Sequence, residues 1–144
     1  MKKFELTSES IVNIFGKKLF RIKALIEFGN VKEGELGGFV EKEENLSHDG
    51  NAWVSGDAKV YGNARVYGDA RVCRNADYAT IKGFGTEYRT TTFFKCRDRV
   101  TRVRCGCFYG DLEQFRNQVK NTRKGKIAEE YLMIADLMEK HFDK

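Results

Sequence analysis

Residues 50–73 read Gly50-Asn51-Ala52-Trp53-Val54-Ser55, Gly56-Asp57-Ala58-Lys59-Val60-Tyr61, Gly62-Asn63-Ala64-Arg65-Val66-Tyr67 and Gly68-Asp69-Ala70-Arg71-Val72-Cys73, which is one hexad repeated four times in frame. A fifth, degenerate copy follows over residues 74–79. A period of six is typical of a parallel β-helix. Each hexad supplies a short strand, three hexads form a triangular coil, and the next coil stacks about 4.8 Å above it. The repeat therefore predicts a short left-handed parallel β-helix.

The hexad positions carry distinct structural expectations. Val is expected to point into the narrow prism and Ala to fit near its corner, while Gly and Asn or Asp supply the turn conformations. Stacking partners lie eighteen residues apart, so Asn51 is paired with Asp69 and no two aspartates are stacked. Lys59, Arg65 and Arg71, spaced by six, are predicted to project from three different faces as solubilising side chains.

Two degenerate hexads precede the repeat, in residues 36–40 and 45–47. Leu46 and Val54 are eight residues apart rather than six, so His48-Asp49 is predicted to be a two-residue insertion at a corner. A solenoid of this length has two open ends that need caps. The segments 11–14 and 19–25, which flank 15–18, predict a β-hairpin that caps the first end.

The C-terminal part has a different character. Segments 90–95 and 100–104 predict a second hairpin. Asp111 and Gln114 form a capping-box pattern that predicts a helix to about Asn121. Apolar residues spaced by three and four predict a last amphipathic helix over 126–142.

The predicted fold is mainly β: a short left-handed parallel β-helix with an N-terminal β-hairpin cap and a C-terminal α+β domain of a hairpin plus two helices. The expected divisions are 1–33 for the cap, 34–80 for the β-helix and 81–144 for the basic α+β domain. A short prism has a small core. Trp53, Tyr61 and Tyr67 are predicted to be exposed and to offer aromatic surface to other copies. We therefore expect a homo-oligomer, with a trimer favoured.

Charge is unevenly distributed along the chain. Residues 80–144 carry fourteen basic and nine acidic side chains, which accounts for the whole net charge of +5. A basic surface suits phosphates, nucleic acid or an acidic protein. No apolar run approaches the length of a membrane span, and the polar start lacks a signal-peptide core, so we expect a cytoplasmic protein without a membrane partner. Its four cysteines are expected to be reduced thiols.

Segments outside the repeat resemble a group of hexapeptide-repeat proteins of bacteriophages and prophages. The resemblance covers nearly the whole chain and is carried by 20–22, 36–41, 44–48, 81–85, 89–94 and 105–110. It implies a phage origin rather than a chemistry. Small phage proteins without an evident enzyme site are often antagonists of bacterial defence, which is the role that the resemblance suggests here.

A candidate ligand site lies in the basic tail. Glycine-flanked backbone, consecutive hydroxyls and arginines are groups that hold phosphate, and a nearby aromatic ring can stack on a base. The leading hypothesis is a non-enzymatic, phage-encoded protein, active in the host cytoplasm, that sequesters an anionic nucleotide-type signal without a cofactor. The candidate residues are Lys82, Phe84, Tyr88, Arg89, Thr90, Thr91, Thr92, Arg102 and Arg104.

Three other interpretations stay open at this point. One is a protein-binding inhibitor of a host nuclease or defence effector. Another is acyl transfer, for which His48 would be the base, although adjacent residues do not form a catalytic set. The third is nonspecific nucleic-acid binding through the tail arginines and lysines. We predict no metal site at Cys105 and Cys107, because C-x-C is not the usual zinc spacing.

Overall fold

The computed structural model describes residues 2–106 and 108–143, which form three small β-sheets followed by two C-terminal helices. The first sheet has the strand order β1-β2-β3-β5, the second is the pair β4-β6, and the third has the order β10-β9-β8-β7. The elements are β1 (Phe4–Val12), β2 (Lys18–Ala24), β3 (Leu36–Val40), β4 (Trp53–Val54), β5 (Lys59–Val60), β6 (Arg71–Val72), β7 (Tyr78–Ile81), β8 (Thr91–Lys95), β9 (Thr101–Cys105), β10 (Phe108–Asp111), α1 (Leu112–Thr122) and α2 (Gly125–Phe142).

The N-terminal hairpin is present, but its first strand is longer than predicted. β1 begins at Phe4 rather than near Ile11, and it pairs antiparallel with β2. The Asn13 side chain closes the turn by accepting hydrogen bonds from the amides of Phe15 and Lys17. β2 also pairs antiparallel with β3, which joins the hairpin to the hexad region.

The hexads pair in parallel at the spacing that the repeat predicts. Trp53 pairs with Arg71 and Val54 with Val72, eighteen residues apart. Pairings that start before the insertion, such as Val40 with Val60, are instead twenty residues apart. The two additional residues are those predicted as the insertion at His48-Asp49.

The predicted inward residues are buried. Val40, Val54, Val60, Val66 and Val72 are all 0% exposed. The alanines of the four regular hexads are no more than 2% exposed. Burying each valine contributes about 1.5–3 kcal/mol relative to leaving it exposed, so this column of side chains supplies much of the first core.

The coarse architecture is mixed α/β, and no continuous solenoid sheet is assigned within residues 2–106 and 108–143. The hexads form only two-residue strands and one isolated parallel bridge, Leu46 with Val66. The fifth hexad departs from the pattern: 75–77 form a 3₁₀ turn in which Asp77 accepts hydrogen bonds from the amides of Cys73 and Arg74. That turn ends the repeat and leads into β7.

Trp53 is buried, so the prediction that it offers exposed aromatic surface is wrong. Its relative exposure is 6%, because the loop after β2 covers it. Phe28 of that loop packs edge-on against the indole, with ring centroids 5.3 Å apart. Tyr61 and Tyr67 are half-buried.

The third sheet lies between two cores. Phe94 and Cys96 pack with the hexad valines in the first core. Phe93 and Val103 pack with the helices in the second. The predicted hairpin of β8 and β9 is present with the antiparallel register Phe93 to Val103. The strands β7 and β10, which extend it on both sides, were not predicted.

The two predicted helices are present. α1 carries the predicted capping box: Asp111 accepts from the Gln114 amide at 2.8 Å, and Gln114 Oε1 accepts from the Asp111 amide at 2.9 Å. Arg116 connects the helices through ion pairs to Asp136 and Glu139 of α2. Neither helix of the described chain combines the length and apolarity needed to cross a bilayer.

Candidate anion-binding site

A cationic cleft of about 320 Å³ opens between the third hexad and the third sheet. Its lining combines residues that are distant in the sequence, and four of them are basic. They are Asn63, Arg65, Lys82, Arg89, Thr90, Arg104 and Gly106. We call this lining the cationic cleft. It includes Lys82, Arg89, Thr90 and Arg104 from the predicted site.

Arg104 is held at the edge of the cleft by two contacts. Its Nε donates to Gly106 O at 2.8 Å. Its Cζ lies 3.9 Å from the centroid of the Tyr67 ring. A cation over an aromatic face is stabilised by about 0.5–1 kcal/mol at an exposed site. The guanidinium is thus oriented before any ligand arrives.

Arg65 reaches the cleft because the third hexad docks on β8. Its amide donates to Thr92 Oγ1 at 3.0 Å. Its guanidinium makes a longer contact, from Nη1 to Glu44 O at 3.3 Å. A carbonyl contact leaves the charge of Arg65 unneutralised, so the side chain still adds a full positive charge to the cleft.

Arg89 approaches the cleft across the backbone of Gly106. Gly106 has a positive φ of 60°, and a Cβ built on it would overlap the Arg89 guanidinium. Arg89 also forms an ion pair with Glu87, whose side chain is 67% exposed. A surface pair of this kind is worth about 0–1 kcal/mol, so a phosphate can displace the carboxylate.

No acidic side chain belongs to the cleft lining in the described chain. Three of the four positive charges have no carboxylate partner among the described residues, and their mutual repulsion disfavours the folded state in the absence of a bound anion. Arg65, Lys82 and Arg104 form no ion pair with a carboxylate among residues 2–106 and 108–143. The cleft is therefore electrostatically suited to a small polyanion.

A second cavity, of about 220 Å³, lies between the third sheet and the helices. Its aromatic residues are Phe84, Phe108, Phe115 and Tyr131, and its polar residues include Gln118 and Arg89. We call it the aromatic pocket. Phe115 and Tyr131 meet at 90° with centroids 5.8 Å apart. Burial raises the pKa of Tyr131, which keeps its hydroxyl neutral. Arg89 lines both cavities.

Several predicted site residues lie elsewhere. Thr91 and Thr92 are each 1% exposed, because both faces of β8 are covered. Thr91 Oγ1 contacts Cys105 Sγ at 3.2 Å, and Thr92 Oγ1 accepts from the Arg65 amide, so neither hydroxyl is available to a ligand. Tyr88 is 65% exposed and lines neither cavity.

Arg102 shares a face of β9 with Arg104 but does not line the cleft. Its guanidinium donates to both carboxylate oxygens of Asp98, at 3.0 and 2.9 Å. These bonds raise the pKa of Arg102 and lower that of Asp98. The charge of Arg102 is therefore already balanced, which weakens the nonspecific nucleic-acid grip suggested by the sequence.

His48 has a packing role rather than a place in either cavity. Its ring stacks on Phe4 with centroids 4.3 Å apart, and its Nδ1 accepts from the Lys3 amide at 3.0 Å. No histidine lines the cationic cleft or the aromatic pocket in the described chain. No cluster of metal-ligating side chains is found within residues 2–106 and 108–143, and Cys107 lies outside the described residues.

Sequence reasoning missed two parts of the site. Arg65 was interpreted as solubilising, since nothing in the hexad shows that β8 docks beside it. Tyr131 lies on the predicted apolar face of the last helix, whereas no prediction was made for Phe115, and only the fold shows that both border a cavity. The apolar spacing of the last helix predicts the burial of Tyr131 but not the cavity beside it. No protein-family model, curated protein or solved structure matches the chain.

Proposed function

We propose that the chain is a non-enzymatic binding protein that captures a small phosphate-bearing, nucleotide-type anion in the cationic cleft. The observation that supports this proposal is the meeting of four basic side chains, Arg65, Lys82, Arg89 and Arg104, in a cleft lining without a carboxylate. Arginine holds phosphate in a bidentate manner, and lysine adds a point charge. In a phage-type protein, capture of such an anion would withdraw a signal from a host defence system.

The test of capture uses the whole chain and defined probes. Pyrophosphate, ADP, ADP-ribose and cyclic dinucleotides are titrated while the melting temperature is followed. A binder at 100 times its Kd stabilises the native state by about 2.7 kcal/mol, which shifts the melting temperature by several degrees. Heat denaturation of the complex should then release the ligand intact. Chemically altered ligand would contradict a non-enzymatic role, and no shift with any probe would contradict capture.

We also propose that the hexads form a short left-handed parallel β-helix. Parallel pairing at eighteen residues and the buried valine column support it. In such a coil, duplication of residues 50–67 adds one whole coil, so every later hexad stays on its original face of the prism. Duplication of residues 50–55 alone moves all later hexads to the next face. Cooperative unfolding should survive only the longer duplication, and equal behaviour of both variants would contradict the coil.

We also propose that the turn of the N-terminal hairpin is the surface for self-association as a trimer. Val12, Ile14 and Phe15 are 67%, 93% and 69% exposed, respectively. Exposed apolar groups clustered at one turn often mark protein contacts. Light scattering should report a smaller particle for the Ile14→Ser, Phe15→Ser double variant, and an unchanged mass would contradict this assignment.

A further inference from the structure

The aromatic pocket and the cationic cleft share one side chain, Arg89, and so form adjoining compartments. The pocket holds about 220 Å³ and the cleft about 320 Å³. Small-molecule sites typically measure about 300–1,000 Å³, so the cleft alone lies at the lower end of this range and the pocket alone falls below it. A ligand that occupies both needs an aromatic part and an anionic part joined within the span of one arginine.

The chemistry of the pocket is that of a ring-binding site. Phe115 and Tyr131 are 3% and 4% exposed and are fixed by their edge-to-face contact, so the base of the pocket is rigid. Phe84 is half-buried on the glycine-flanked loop, where it lines the pocket and packs against the second core. The cavity of about 220 Å³ leaves space for a single planar heterocycle.

The lining of the pocket carries groups that can hydrogen-bond to the edge of a heterocycle. Gln118 offers an amide with both donors and an acceptor, Glu87 offers a carboxylate acceptor, and Arg123 offers a guanidinium that only donates. Thr122 already donates its hydroxyl proton to Gln118 O at 2.6 Å, so towards a ligand its Oγ1 can only accept. Donors and acceptors are both present, which suits the mixed edge of a nucleobase without selecting one base.

We infer that the aromatic pocket binds the base of a nucleotide whose phosphates lie in the cationic cleft. This inference rests on the proposed function and names its ligand class: a nucleoside phosphate rather than a sugar phosphate or an inorganic polyphosphate. Arg89 contacts both halves of the ligand. Phe84 stacks on the base.

Calorimetric titration of the full chain with AMP, ribose 5-phosphate and pyrophosphate separates this inference from the proposed function. AMP carries the same single phosphate as ribose 5-phosphate and should bind at least tenfold more tightly, since base–aromatic stacking contributes substantially to affinity. If pyrophosphate binds but AMP is no tighter than ribose 5-phosphate, the base pocket is refuted and anion capture stands. If none of the three binds, both are refuted.

Two aromatic residues of the same loop provide a matched pair of variants. Phe84→Ala should weaken the binding of ADP about tenfold and change the Kd for pyrophosphate by no more than about twofold. Tyr88→Ala, whose ring lines neither cavity, should change neither affinity. An equal loss of both ligands in Phe84→Ala, or the same loss of ADP in Tyr88→Ala, would overturn the assignment.

Thiol protection gives a second measurement on the unaltered chain. Cys105 lines the aromatic pocket, whereas Cys73 lines neither cavity. Saturating ADP should slow the alkylation of Cys105 by iodoacetamide at least threefold and leave Cys73 unchanged, as read by peptide mass spectrometry. Equal protection of Cys105 by saturating pyrophosphate would show that the base does not occupy the pocket.

Discussion

Arg104 lies over the ring of Tyr67, with its Cζ 3.9 Å from the ring centroid. The contact joins β9 to the third hexad at the edge of the cationic cleft. It orients the guanidinium without neutralising it, because an aromatic face supplies no counter-charge. Two residues along the same strand, Arg102 is neutralised by Asp98.

Arg104→Gln should weaken pyrophosphate binding at least tenfold. A hydrogen bond to a charged group is worth about 1.5–3 kcal/mol, and about 1.4 kcal/mol corresponds to a factor of ten. Arg102→Gln also removes one positive charge from this strand, and the Kd of this variant for pyrophosphate should stay within about twofold of the wild-type value. Calorimetry at constant salt provides the comparison. Equal losses would mean that only net charge matters.

Glu87→Gln should strengthen pyrophosphate binding two- to fivefold. The carboxylate of Glu87 pairs with Arg89, and exposed pairs are worth about 0.2–1 kcal/mol. Releasing Arg89 makes its guanidinium available to the ligand. Glu113→Gln is the control, since it removes a similar charge near Arg116, away from the cleft. A gain that is equal in both variants would indicate a long-range charge effect.

Gly68→Ala should destabilise the protein more than Gly62→Ala. Both glycines have positive φ, of 64° and 67°, so each alanine costs about 1–2 kcal/mol in backbone strain. A Cβ at Gly68 would also overlap Tyr109 Oη, whereas one at Gly62 meets no heavy atom of the described residues within 4 Å. Urea unfolding measures the difference. It should vanish in a Tyr109→Ala background, and its persistence there would rule out the Tyr109 contact as the cause.

Lys3 should make stability rise with pH. Burial lowers the pKa of Lys3 to about 8 from 10.5. Between these values the unfolded chain binds more protons than the native chain, so the free energy of unfolding increases as the pH rises. Compared with Lys3→Met, the wild type should gain about 1 kcal/mol between pH 7.5 and 9.5, after discounting for solvent screening. Parallel pH profiles of the two proteins would contradict this assignment.

The hexad pattern predicted the first core because each inward position recurs at a fixed interval. The burial of Val60 and Val66 could be predicted without knowledge of the rest of the chain. The eight-residue distance from Leu46 to Val54 likewise predicted that paired residues are twenty positions apart in the sequence before the insertion and eighteen after it. Local chemistry also predicted the capping box of α1, because Asp111 and Gln114 act within one helical turn.

The candidate site was less predictable because it depends on docking. Lys82, Arg89 and Arg104 were identified from their charge, but Arg65 joins them only where Thr92 meets the third hexad. Thr92 was wrongly predicted to contact a ligand for the same reason, because a strand that is covered on both faces exposes no side chain to a ligand. Trp53 is buried by Phe28, which lies about twenty-five residues earlier in the chain, and no local sequence pattern predicts this contact.

The adjacent residues Phe93 and Phe94 belong to different cores. Side chains alternate across a strand, so a shift of one residue in β8 would exchange the two rings and spoil both cores together. The two halves of the molecule should therefore melt in a single transition, with no stable half-folded state. An insertion or deletion of one residue in β8 would impose such a shift, so it should disrupt both cores at once.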